Sequence, residues 1–330
     1  MIVDIHTHYV PESLLSVLKD GSKNYKLGAE IVNDNNVEVI KFKQGMSFPM
    51  TKELYCLETR LHDMDKRLID IDVLSASPTV YFYETDAASG KFISRMINES
   101  IAAAAKNNPR FLGLGTLPLQ SVKDSVSELE FLVENLGIKG VQIGTNVKGK
   151  GIWDADFLPL YEVANKYELF IFIHPMFLGD SAFLENYYLV NLIGQPLNTT
   201  IAISYLIFSG VLDKFPKIKW GLAHGGGYLP FGLGRLEHGF EVRAEAKVNI
   251  KRPPSYYMDK IYCDTITHNV PALKYAIETF GYSNVFLGSD YPYDMADFNP
   301  VKTIKDTAGV NADYKKKILG ENALRVLHKA

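Results

Sequence analysis

The sequence predicts a (β/α)8 TIM barrel with a small β-hairpin inserted after its first strand, and three observations carry that expectation. Short β-rich apolar runs alternate with longer segments of helical periodicity. The first run leads into His6-Thr7-His8 rather than a glycine-rich turn, and no GxGxxG or P-loop occurs anywhere in the chain. Histidines and an aspartate recur where the runs end, the side of a parallel barrel on which sites are built.

The predicted strands occupy 1–5, 73–77, 111–117, 140–143, 169–173, 220–223, 261–263 and 285–288. Helical periodicity fills 57–69, 87–107, 122–136, 157–167, 197–215, 229–248 and 272–280, and further helices close the chain over 301–327. Such alternation favours parallel strands joined by right-handed crossovers. A doubly wound nucleotide-binding sheet is the competing architecture, and the missing phosphate turn counts against it. Residues 12–55 break the alternation. There, 29–32 and 37–42 flank the turn-former Asn33-Asp34-Asn35-Asn36, which reads as a hairpin forming a flap over the barrel mouth. The whole chain, 1–330, is expected to be one barrel unit with 12–55 as an insertion within it.

Composition narrows the function classes. The 330 residues are 47% hydrophobic and 22% charged with a formal charge of -3, and the two signs are interspersed. This argues against disorder and gives nucleic acid or a membrane surface little to bind. The expected partner is a small molecule. Two distant cysteines, Cys56 and Cys263, fit a reducing compartment rather than a disulfide framework. The start of the sequence lacks a signal-peptide pattern, and the apolar stretch 201–211 is interrupted by Ser204, Ser209 and Gly210, so a cytoplasmic location is expected.

Four of the eight histidines fall at predicted strand ends: His6 and His8, His174 and His224. Asp290 ends the last strand. Side chains two apart on a strand share a face, so both imidazoles of His6-x-His8 can aim into the barrel. Neutral imidazoles suit zinc and its neighbours, and three histidines with one carboxylate leave a position open for water. A divalent ion there lowers the water's pKa toward roughly 7. Taken singly, each residue has an ordinary role: HxH as strand packing, His174-Pro175 as a turn, Asp290 as a cap. Their shared placement points to a metal site. His224-Gly225-Gly226-Gly227 admits two readings. One is the oxyanion loop of esterases, but that needs a GxSxG elbow, which is absent. The favoured one sets His224 beside the metal as a proton carrier, with glycines permitting close approach.

On these residues the chain resembles the amidohydrolase superfamily, and within it the branch of 2-amino-3-carboxymuconate-6-semialdehyde decarboxylase and related aromatic-acid decarboxylases. The matching stretches are Asp4-Ile5-His6-Thr7-His8, GIKGVQIG at 137–144, His174-Pro175, LAHGGG at 222–227, LGRL at 233–236, RPPS at 252–255 and LGSDYP at 287–292. The resemblance implies one metal ion, usually zinc, held by His6, His8, His174 and Asp290, with His224 activating water. It implies that Arg235 reaches across a homodimer interface to a substrate carboxylate. A carboxylated lysine ending strand four, the mark of binuclear relatives, has no counterpart in Gly144-Thr145-Asn146, so one ion is expected. The sequence departs from the branch at two substrate-binding positions. Phe48 replaces an arginine in the insert, where Lys41, Lys43 and Lys52 offer other cations, and Tyr187 stands for a tryptophan after strand five.

The activity this implies is metal-dependent, non-oxidative decarboxylation of an unsaturated or aromatic carboxylic acid, with His224 and Asp290 carrying protons. Hydrolysis of an amide, ester or lactone, or hydration, starts from the same metal-bound water and is the alternative. A catalytically silent barrel predicts loss of a ligand or of His224, and all five positions are present.

Overall fold

The computed structural model describes residues 1–20, 27–35, 37–43, 46–176 and 183–328. Eight strands supply the barrel: β1 (Val3–Tyr9), β2 (Ile71–Ala76), β3 (Phe111–Gly113), β4 (Gly140–Gly144), β5 (Phe170–His174), β6 (Lys219–Leu222), β7 (Ile261–Asp264) and β8 (Val285–Phe286). All adjacent pairings are parallel, in the order β1-β2-β3 and β4-β5-β6-β7-β8. Two parallel bridges, Gly115 with Val141 and Thr7 with Tyr291, join these halves and close the barrel. At the second seam Ile5 N–H donates to Leu287 O at 3.0 Å and Asp290 N–H to His6 O at 2.9 Å.

Closure removes both sheet edges and creates an interior that side chains must fill. Phe170, Phe172 and Phe286 do so, with ring centroids 5.8 to 6.2 Å apart, beside Val3, Ile5, Val73 and Leu114. A larger apolar layer lies between the strands and the outer helices. Phe172 also meets the His6 ring edge-on at 4.9 Å, so the aromatic filling forms the floor of the polar site above it.

Several predicted bounds shift for identifiable reasons. β1 runs through the HxH pair to Tyr9 instead of stopping at residue 5, and its register slips between Asp4 and Thr7. The helix expected over 197–215 breaks at Gly210, whose φ of 79° ends the Gln195–Phe208 helix before a short turn at Val211–Lys214. That expected over 229–248 stops at Val242. In the insert, Ala29–Asp34 pairs antiparallel with Val37–Phe42, and a third strand that periodicity did not signal, Ser47–Pro49, joins them. Asn36, part of the expected turn, lies outside the described residues. A short helix, Glu12–Lys19, buries Leu14, Leu15 and Leu18. The insert packs through Phe42 onto Phe82, in the loop after β2, at 5.9 Å between ring centroids. No helix among the described residues is long and apolar enough to cross a membrane.

Candidate metal centre

Strand ends deliver the site. β1 brings His6 and His8, β5 ends on His174, His224 follows β6, and Asp290 follows β8. The imidazole centroids of His6, His8 and His174 lie 5.0 to 5.2 Å apart, and that of His224 lies 5.3 Å from His6 and 5.2 Å from His174. Asp290 is their common neighbour: Oδ1 is 2.7 Å from His8 Nε2 and 3.3 Å from His6 Nε2, and Oδ2 is 3.5 Å from His224 Nε2. His6, His8, His174 and Asp290 are buried, while His224 keeps a partly open face.

The backbone is bent to achieve this. Asp290 and His224 have φ of 65° and 57°, left-handed conformations that cost a non-glycine residue about 1–3 kcal/mol each and collect at functional sites. Gly225, Gly226 and Gly227 continue the left-handed turn after His224. A Cβ on Gly225 would come within 2.7 Å of Thr267 Cγ2, and one on Gly227 would collide with the Pro196 carbonyl oxygen. Here the glycines are a packing requirement as well as a conformational one.

Burial and charge set the protonation. Burial draws His6 down, but the carboxylates of Asp264 and Asp290 outweigh it and lift the imidazole to about 10. His8 is held down to about 4 by burial, which also holds His174 well below the usual histidine range, where the neighbouring His8 adds to the effect. Asp290 resists burial because the His224 and His6 imidazoles beside it favour its charged form, and it lies well below the carboxylate range.

Whether these residues suit a divalent ion is answered by their unsatisfied atoms. His6 Nε2, His8 Nδ1 and His174 Nε2 are buried without a hydrogen-bond partner, although such orphans cost about 1–3 kcal/mol each. The opposite nitrogens of His6 and His174 are occupied, by Asp264 at 2.7 Å and by Pro175 O at 3.0 Å, so both imidazoles present Nε2 to the cluster. Imidazole nitrogens around one carboxylate match the donor chemistry of a catalytic zinc-type centre. Two four-ligand sets can be drawn. One is the expected His6, His8, His174 and Asp290. The other exchanges His8 for His224, and its donor atoms all lie within 4.8 Å of one another.

Arg235, Tyr187 and Phe48 make no hydrogen bond or ion pair with the cluster among the described residues. Arg235 is exposed on the Leu229–Val242 helix and makes no hydrogen bond or ion pair among the described residues. Tyr187 is 88% exposed. Phe48 is half-buried in the insert against Phe42. Tyr293 sits 5.1 Å from the His8 ring with its hydroxyl on Ser77 Oγ, and burial pushes it up to about 12. Tyr291 faces away, donating to Asp63 at 2.8 Å under the Arg67 guanidinium. Sequence reading missed Asp264. The predicted seventh strand stopped one residue short of it, and an aspartate ending a strand next to a histidine-bearing one was the available signal.

A closed parallel barrel with histidines and an aspartate converging at its C-terminal mouth defines a metal-binding barrel of the amidohydrolase type. The amidohydrolase family model matches residues 3–329, and the chain belongs to that family. It is 32% identical over 332 residues to 2-amino-3-carboxymuconate-6-semialdehyde decarboxylase of Dictyostelium discoideum, covering 98% of this chain and 91% of that one. Among solved structures, 5-carboxyvanillate decarboxylase from Sphingomonas paucimobilis superposes with a TM-score of 0.84 at 25% identity, over 99% of each chain. The corresponding enzyme from Novosphingobium aromaticivorans, complexed with manganese and 4-hydroxy-3-methoxy-5-nitrobenzoic acid, gives 0.82 at 22%, over 99% of this chain and 96% of that one.

Proposed function

We propose that this protein is a metal-dependent decarboxylase of an unsaturated or aromatic carboxylic acid. The observation that carries the reading is a cluster of buried imidazoles packed around Asp290, in which His6 Nε2, His8 Nδ1 and His174 Nε2 lack a hydrogen-bond partner, within a chain that matches decarboxylases along nearly its whole length. His6, His8, His174 and Asp290 are the proposed ligands. When bound, a divalent ion supplies a Lewis acid for substrate oxygens and lowers the pKa of water toward about 7. Zinc is the preferred ion from the ligand chemistry.

His224 is the proposed proton carrier. Its imidazole is 14% exposed and Nε2 is 3.5 Å from Asp290 Oδ2, so it faces both the cluster and the entering substrate. Net decarboxylation adds one proton to the carbon bearing the carboxylate. The C–C bond then breaks, its electron pair stays with that carbon, and carbon dioxide leaves. A carrier with one face to the pocket and one to a fixed carboxylate suits the proton delivery. Arg235 is the proposed carboxylate anchor, since a guanidinium meets a carboxylate bidentately. It makes no hydrogen bond or ion pair with the cluster of its own chain among the described residues, and the proposal has a homodimer in which each copy lends it to the other. Support comes from its surroundings. Phe231 is 86% exposed and Val242 59%, and Cβ atoms on Gly232, Gly234 and Gly239 would meet nothing, so the helix that carries Arg235 presents an apolar, close-approach face. We further propose that the chain acts as one unit, with the insert at 12–55 covering the mouth and Phe48 and Tyr187 adding apolar contact to the substrate.

The test is carbon dioxide release from a panel of unsaturated and aromatic carboxylic acids. Release that disappears on chelation and returns with added zinc is the expected result. A metal-loaded protein that releases none, yet cleaves amides or lactones, overturns the reading.

A further inference from the structure

Asp264, the last residue of β7, is fully buried and takes four N–H donors on its two oxygens. Oδ2 accepts from His6 Nδ1 at 2.7 Å and from the His224 backbone N–H at 2.8 Å. Oδ1 accepts from Gly225 N–H at 2.7 Å and from Ile266 N–H at 3.0 Å. Capping the strand end explains only the Ile266 contact. The other three reach across to β1 and to the turn after β6.

Only an ionised carboxylate is acceptor on both oxygens, with about four lone-pair sites, and here all four are filled. His6 must therefore be the donor at Nδ1, which leaves Nε2 as the nitrogen turned to Asp290 and the cluster, free to coordinate once its own proton is given up. The same oxygens hold the N–H groups of His224 and Gly225, where φ is 57° and 63°, and so help keep a strained turn in place. The fold makes room for the arrangement at Gly288, where a Cβ would come within 2.8 Å of the Cβ atoms of both His6 and Asp264.

We propose that Asp264 is a positioning residue that couples two parts of the site: it fixes the tautomer of His6 and sets the backbone from which His224 projects. This rests on the reading of His6 as a metal ligand and His224 as proton carrier. A single carboxylate then ties metal affinity to proton delivery, two properties that separate residues would leave independent. Asp264→Asn keeps the size but places an amide N–H₂ against at least one N–H donor, whichever way it is turned.

The experiment measures zinc affinity of wild type and D264N by chelator competition, then kcat and KM at saturating zinc. Wild type is expected to bind one ion per chain and D264N to bind it about 10–100-fold more weakly. At saturating zinc, kcat of D264N stays at least about tenfold low while KM moves less than about threefold, because the His224 turn is released even when the ion is present. Equal affinity and equal kcat in the two proteins overturn the inference while leaving the metal site standing. A wild type that binds no zinc at the cluster instead sinks the functional reading beneath it. If D264N does not fold, long-range ¹H–¹⁵N correlation of histidine-labelled wild type with zinc decides. The coupling requires His6 to be protonated at Nδ1, and a proton on Nε2 contradicts it.

Discussion

Asp4 and Ser289 stand 285 positions apart, and the Asp4 carboxylate accepts the Ser289 backbone N–H at 3.0 Å. The first strand thereby fixes the residue immediately before Asp290. Burial and the nearby Asp72 carboxylate push Asp4 up to about 7, although Arg67, 3.0 Å away, pulls it down. Arg67 also lies 3.7 Å from Asp72, which pairs with Arg60 at 3.0 Å, and Arg60 reaches the His8 carbonyl. Two arginines from one helix, Leu57–Arg67, thus brace β1, which carries His6 and His8, against its neighbour β2.

Arg67→Ala leaves two buried carboxylates short of a partner. Breaking such a pair costs about 3–5 kcal/mol, so the denaturant midpoint should fall accordingly. Chemical denaturation of the variant measures it, and a loss below about 1 kcal/mol contradicts the bracing role.

Metal content separates the two possible ligand sets. His8→Ala is expected to lose the ion, whereas His224→Ala keeps it and loses about 10²–10⁴-fold in kcat. Elemental analysis alongside kinetics reads both. Metal lost from His224→Ala and retained by His8→Ala would reverse their roles.

Metal uptake should release a proton. An imidazole in an unfolded chain titrates near 6.5, while His6 in the metal-free fold is raised to about 10. Its imidazolium therefore stabilises the metal-free chain fully below about 6.5, a contribution lost as pH rises through about 10. His8, at about 4, is uncharged at neutral pH. Coordination through His6 Nε2 expels its proton, so binding at pH 8 should release about one proton, and affinity should rise about tenfold per pH unit between about 7 and 10. Calorimetry in two buffers of different ionisation enthalpy counts the proton. A count of zero contradicts the assignment.

Gly227→Ala forces a Cβ onto a φ of 63° and against the Pro196 carbonyl. Activity should fall with metal content unchanged, since the glycine shapes the His224 turn and not the ligands. A variant with wild-type kcat contradicts this.

The candidate site was legible in the sequence because a β-strand has a period of two and a barrel gathers strand ends, so HxH, His174, His224 and Asp290 needed only their order to be placed together. The strand positions were legible for a similar reason: buried parallel strands read as continuous apolar runs. What stayed hidden depends on contacts between distant segments. Asp264 looks like any strand-ending aspartate until β1 and the β6 turn converge on it. Arg60 and Arg67 look like the solvated face of a helix, yet both are buried against Asp4 and Asp72. Residues Ser47–Pro49 are too short to show a period, and their pairing is set by the strand beside them.

The central claim is that one divalent ion sits among His6, His8, His174 and Asp290, and an anomalous difference map from zinc-soaked crystals tests it most directly. The account predicts a single peak per chain bonded to those four side chains, with His224 turned toward the pocket and not coordinating. A map with no peak among them, or with the ion bound elsewhere, contradicts it.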